Sequence, residues 1–107
     1  MALTEEEIAF AVDLFSDLGS ITTRKMFGGL GIYHEGVIFA VMLSDGRTML
    51  KGQGEMQARF DAMGMERWVY QREGKPPGAM PYWSLPDSAL DDPSEAVDLA
   101  REALRHL

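Results

Sequence analysis

The stretch Phe27–Lys51, FGGLGIYHEGVIFAVMLSDGRTMLK, decides how this chain folds. Ile32 and Tyr33, then Val37, Ile38, Phe39, Ala40 and Val41, are mostly β-branched or aromatic and suit a pleated, half-buried surface. His34-Glu35-Gly36 and Ser44-Asp45-Gly46 punctuate the stretch, and in each a glycine supplies the positive φ of a tight hairpin. Arg47-Thr48-Met49-Leu50-Lys51 then reads as another strand of alternating character. Between Arg24 and Gly52 the chain is therefore expected to form an antiparallel meander of three strands.

Helices flank this region. Thr4-Glu5-Glu6-Glu7 is a capping box, in which the Thr4 hydroxyl accepts an amide of the first turn and Glu7 reaches back to the Thr4 amide. The three carboxylates also face the positive end of the helix dipole. Ile8, Ala11, Val12, Phe15 and Leu18 recur at spacings of three and four, predicting a helix from about Thr4 to Leu18 that stops at Gly19. On the other side, Gln53 to Met63 has helical spacing, with Met56, Phe60 and Met63 on one face and Gly64 as its terminator. Glu66–Gln71 reads as a fourth strand and Glu73–Gly78 as a rigid loop. Met80–Leu85 is a fifth strand, expected at the sheet edge because Pro81 cannot donate to a ladder. Asp92-Pro93-Ser94-Glu95 repeats the capping logic ahead of a closing helix whose apolar side holds Ala96, Val97, Leu99, Ala100, Ala103, Leu104 and Leu107. The order α-β-β-β-α-β-β-α implies one α+β domain over residues 1–107, a two-layer arrangement with helices on one face of an antiparallel sheet.

Composition narrows the function classes. A chain of 107 residues with 46% hydrophobic and 25% charged residues is long enough for one core and too short for two domains. Cysteine is absent, which excludes disulfides, thiolate nucleophiles and cysteine metal sites. Seventeen acidic against ten basic side chains give a net charge of −7, unfavourable for a protein whose main task is gripping phosphates. The acidity sits at the two ends. Glu5, Glu6, Glu7, Asp13 and Asp17 face no basic residue in the first helix, whereas Ser20 to Gly78 holds eight basic and six acidic residues. MALTEEEIAF lacks the basic start and apolar core of a signal peptide, and no window approaches the ~20 apolar residues of a membrane span. A cytoplasmic protein without membrane association is expected.

Few residues carry chemistry. Phe27-Gly28-Gly29-Leu30-Gly31 looks like a phosphate cradle, but such cradles need a helix opening behind the glycines. Here a hairpin follows, so the glycines are read as allowing curvature, a bulge or a close approach. Arg24 and Lys25 stand just before the run, as a strand start or a small anion site. His34 and His106 have no second ligand at metal spacing, and the serines lack a nucleophile-elbow context. No catalytic constellation, metal or cofactor is expected, and the chain is read as not an enzyme. Met80-Pro81-Tyr82-Trp83 presents two amphipathic aromatics after Lys75-Pro76-Pro77-Gly78; either they anchor an interface or they close the core. Eight methionines fill core gaps or furnish an adaptable surface, the former being the commoner use.

Together, Arg24-Lys25-Met26-Phe27-Gly28-Gly29-Leu30-Gly31-Ile32-Tyr33, Gly36-Val37-Ile38-Phe39-Ala40, Leu50-Lys51, Lys75-Pro76, Met80-Pro81-Tyr82-Trp83 and Leu85-Pro86 resemble the TfoX (Sxy) N-terminal domain family. The resemblance runs from Leu3 to about Leu104 and implies a two-layer α-β(3)-α-β(2)-α fold similar to type III secretion chaperones. It also implies a link to regulators of natural competence genes, which are thought to act with the cyclic-AMP receptor protein. Those regulators carry a second, helical domain, and this chain is read as a stand-alone copy of the first. The family supplies no catalytic residues.

The expectation is a non-enzymatic regulatory domain that binds a protein partner, a transcription regulator or a second copy of itself. The interaction candidates are Arg24, Lys25, Phe27, Gly28, Gly29, Lys51, Lys75, Met80, Pro81, Tyr82 and Trp83. The alternative is direct nucleic-acid binding through Arg24, Lys25, Arg47, Lys51, Arg72 and Lys75. A third reading is a small-ligand binder or enzyme using Tyr33, His34 or Trp83 around the glycine run.

Overall fold

Thr4 starts the first helix as its capping box requires. The Glu7 amide donates to Thr4 Oγ1 at 3.1 Å and the Thr4 amide to Glu7 Oε1 at 3.0 Å. These positions come from a computed structural model, which describes residues 3–26, 28–70 and 73–107. Helix α1 spans Glu5–Leu14 and gives way to a 3-10 turn over Ser16–Leu18, so the regular helix ends before the apolar spacing does. Gly19, at φ +77°, then turns the chain into the sheet.

The strands are β1 Ile21–Met26, β2 Gly29–His34, β3 Val37–Met42, β4 Thr48–Lys51, β5 Arg67–Tyr70 and β6 Gly78–Ser84. Helix α2, Glu55–Ala62, joins β4 to β5; a short α3, Asp87–Leu90, and α4, Pro93–Leu104, close the chain. All strands pair antiparallel in the order β1-β2-β3-β4-β6-β5. The α+β class and the helix-covered antiparallel sheet are therefore as expected, with one strand more than the sequence pattern predicts. The extra strand is β1, whose Thr22-Thr23-Arg24-Lys25 is polar because it forms the sheet edge, with water on one flank. Gly28, at φ +76°, sits in the turn that separates β1 from β2.

Two bulges shape the sheet. Ile32 pairs with Ala40 but Tyr33 with Ile38, so Phe39 is an extra residue in β3. The bulge places Phe39 on the helix side beside Ala40, where its ring meets Phe15 edge-on at 5.1 Å. The second bulge corrects the placement of the MPYW strand at the edge: β6 lies between β4 and β5, and β5 is the outer strand. Arg67 pairs with Trp83 and Val69 with Ala79, leaving Met80-Pro81-Tyr82 opposite Trp68 alone. An irregular ladder at that point makes no demand for the missing proline N–H, while the Pro81 carbonyl still accepts the Gly52 amide at 3.0 Å.

The main core lies between the sheet and the helices, around Phe15, Leu30, Ile32, Phe39, Leu50, Phe60 and Trp83. Ala96, Ala100 and Ala103 let α4 approach β3 and β4 closely. Asp92 caps α4 by accepting the Ser94 amide at 3.0 Å. Glu95 departs from the capping-box pattern and accepts the Ser88 hydroxyl instead, because the Asp92 amide is already bonded to the Ala89 carbonyl. Arg59 grips Glu102 through two bonds of 2.6 and 3.3 Å, tying α2 to α4. Among the described residues no helix is long and apolar enough to cross a membrane.

One buried group is costly. Thr48 is 5% exposed, and its hydroxyl has no hydrogen-bond partner among the described residues. Thr48→Val is expected to raise stability by about 1 kcal/mol, since it removes an unsatisfied polar atom at nearly constant shape. A urea midpoint that falls in this variant would contradict the reading.

Candidate interaction surface

Residues paired across a sheet share a face. Gly31 pairs with Val41, Val41 with Met49, and Lys51 with Tyr82, and this set faces away from the helices. On that side Val41, Met49 and Tyr82 form a second apolar cluster, flanked by Ile38, Leu43, Trp68 and Met80. No helix covers it. The cluster is shielded by its own large side chains: the rings of Trp68 and Tyr82 lie 6.2 Å apart, tilted by 58°. Gly31 makes room for this layer, because a Cβ there would come within 2.8 Å of Met26 Sδ, 3.2 Å of Tyr33 Cε1 and 3.3 Å of Ile38 Cδ1.

A trough of about 730 Å³ runs along this face, lined by Met26, Gly29, Leu43, Trp68, Met80 and Tyr82 among others. Asp45 and Arg47 also line it, joined by a 2.9 Å ion pair. The Arg47 amide, reinforced by its guanidinium, holds the Asp45 carboxyl below the usual carboxylate range. Burial, with a contribution from Tyr33, pushes the Tyr82 phenol up, so it stays a neutral O–H. Arg24 and Lys51 point to the same side and make no ion pair among the described residues. The surface is thus apolar and aromatic at its centre, with isolated cations at its margin.

The structure distributes the candidates from the sequence unevenly. Met80 and Tyr82 stand on the open face, with Lys51 paired to Tyr82. Pro81 occupies the bulge. Trp83 points the opposite way and is fully buried: its indole N–H donates to Asp61 Oδ1 at 2.8 Å, and the Arg67 guanidinium lies 4.5 Å from its ring. Lys25 is turned to the helix side by its pairing with Leu30, beside Leu3 and Ile8, whereas Arg24 faces the open side. Lys75 lies in the loop between β5 and β6. Phe27 and Arg72 lie outside the described residues. Gly28 belongs to the turn, and Gly29 is a point of close approach, since a Cβ there would stand 2.3 Å from the Met42 carbonyl oxygen. The glycine run leads into β2, so no helix N-terminus backs it as a phosphate cradle would need. His34 Nδ1 donates to the Gly19 carbonyl at 2.7 Å and ties the β2–β3 hairpin to the start of β1.

Sequence reasoning passed over Trp68, Val41 and Met49. For Val41 the signal was the unbroken apolar run from Val37 to Leu43, which is that of a strand buried on both faces. With helices on one side only, the second face buries Val41, Met49 and Tyr82 under the half-exposed side chains of Ile38, Leu43, Trp68 and Met80.

The family described as TfoX N-terminal domain matches residues 13–107. Among curated proteins, the DNA transformation protein TfoX1 of Aliivibrio fischeri (strain ATCC 700601 / ES114) is 29% identical over 89 residues, which cover 83% of this chain and 42% of that protein. The chain spans less than half the length of that relative.

Proposed function

The chain belongs to the TfoX N-terminal domain family, and from that premise we propose that it is a non-enzymatic interaction domain that docks a protein partner on the open face of its sheet. The carrying observation is the half-buried Trp68, Met80, Ile38 and Leu43, which lie over buried Val41, Met49 and Tyr82 on a face that none of the described helices covers. Apolar patches bounded by polar residues mark interaction sites, and aromatic residues with methionine are enriched in them. The resemblance to a DNA transformation protein supports a setting linked to competence; a cytoplasmic place and a transcription regulator as partner belong to the same proposal.

Direct nucleic-acid binding has less support. Arg24 and Lys51 face one side but sit on β1 and β4, roughly 14 Å apart by strand spacing. Lys25 faces the other side and Arg47 is held by Asp45. A stacking platform needs its cations around its aromatics. No mobility shift of a short duplex or single strand is expected at low salt.

The partner should be lost selectively. When the native complex is isolated from the source cells, Trp68→Lys should weaken partner retention by roughly tenfold or more, as loss of an aromatic anchor does. Asp98→Lys, on the exposed side of α4, should leave retention unchanged. Equal retention by both folded variants would overturn the proposal.

A further inference from the structure

β1 is an unpaired edge whose backbone can be read group by group. The Glu35 amide donates to the Ser20 carbonyl at 3.2 Å, which makes Ser20 and Glu35 a hydrogen-bonded pair of the β1–β2 ladder. Such pairs alternate in antiparallel sheets. Thr22–Tyr33, Arg24–Gly31 and Met26–Gly29 are therefore the bonded pairs, and Ile21, Thr23 and Lys25 turn their N–H and C=O groups away from β2. These outward groups have no hydrogen-bond partner among the described residues.

We propose that this edge pairs antiparallel with β1 of a second copy of the chain, with Thr23 opposite Thr23. The outward residues are symmetric about Thr23, so only this register uses all of them: Ile21 faces Lys25 of the second copy, Thr23 faces Thr23, and Lys25 faces Ile21. Each facing pair exchanges two hydrogen bonds. A register centred one residue earlier or later leaves one outward residue unpaired in each copy, and the later one sets Arg24 against Arg24. Centred on Thr23, Arg24 lies opposite Thr22, and no like charges stand face to face. The two-fold axis runs perpendicular to the sheet. It keeps the helices of both copies on one side and joins the two open faces into a continuous surface on the other. The contact is narrow, in the class of small transient interfaces, so dissociation constants of about 1–100 μM are expected.

This pairing uses a different surface from the proposed partner face, and its failure would leave that reading standing. Sedimentation equilibrium of the whole chain over micromolar to near-millimolar concentrations provides the test. The unaltered chain should associate reversibly to a dimer. Thr23→Pro should remain monomeric with an unchanged far-UV spectrum and urea midpoint, because the N–H it removes has no acceptor among the described residues. Thr22→Pro removes a ladder donor and should lower the midpoint. In this cysteine-free chain, Thr23→Cys should oxidise to a linked dimer faster than Ser16→Cys, since facing Cα atoms in a bonded pair stand about 5.5 Å apart. A monomeric unaltered chain, a Thr23→Pro dimer, or an association abolished by Trp68→Lys but not by Thr23→Pro would each overturn the edge pairing.

Discussion

Trp83→Ala is expected to cost about 3–5 kcal/mol, the range for deleting a large aromatic from a packed core. The side chain is fully buried, tilted against Phe60 at 5.8 Å, covered by the Arg67 guanidinium and bonded to Asp61. It joins α2, through Phe60 and Asp61, to the two outermost strands at that end of the sheet. Domains of this size have total stabilities of about 5–15 kcal/mol, so the variant should be largely unfolded well below the denaturation temperature of the parent. Trp83→Phe keeps most of the volume, and its lost partner Asp61 is exposed and can turn to water. It should lose less than half as much. Urea unfolding followed by circular dichroism measures both. A Trp83→Ala loss below about 1 kcal/mol would mean that the ring does not fill the core as described.

The second large effect separates two glycines of one run. Gly29→Ala places a Cβ 2.3 Å from the Met42 carbonyl oxygen, a backbone atom that cannot move without opening the β2–β3 ladder. The expected cost is about 3 kcal/mol, the upper end for overpacking. Gly31→Ala meets first the sulfur of Met26 at 2.8 Å, the far part of a flexible side chain. It should cost under about 1 kcal/mol, because methionine repacks readily. Thermal or urea unfolding of the pair checks the contrast. Equal losses would show that the run is tuned by something other than the clearance above each glycine, such as a bound ligand or partner.

Much of the fold was legible because its decisive residues act locally. Thr4 and Asp92 cap helices through their own first turns, and Glu35 and Gly36 hold positive φ in the hairpin between β2 and β3. β1 was missed because strands are recognised by apolar alternation, and although Ile21–Arg24 alternate between half-buried and exposed, Thr23 and Lys25 put polar residues on the covered side. Pro81 misled for a related reason: the rule that proline avoids inner strands assumes an unbroken ladder, and here a bulge supplies the exception. The surface was harder to read. Tyr82 and Trp83 are neighbours in sequence with opposite fates, and which of them faces the core depends on pairing with Leu50 and Lys51, more than thirty residues away. Phe39 shares a side with Ala40 only because of its bulge, so strict alternation through β3 would have placed Val41 on the wrong face. Met49 looked interchangeable with the other methionines until its partner Val41 was known.

We propose that this domain meets its partner on the uncovered sheet face. The most direct test is in-cell photocrosslinking, with a photoreactive phenylalanine analogue at Met80, on the open face, or at Asp98, on the exposed side of α4. A discrete protein adduct is expected at position 80 and none at position 98. Adducts of equal yield at both positions, no protein adduct at position 80, or crosslinks to nucleic acid there would contradict it.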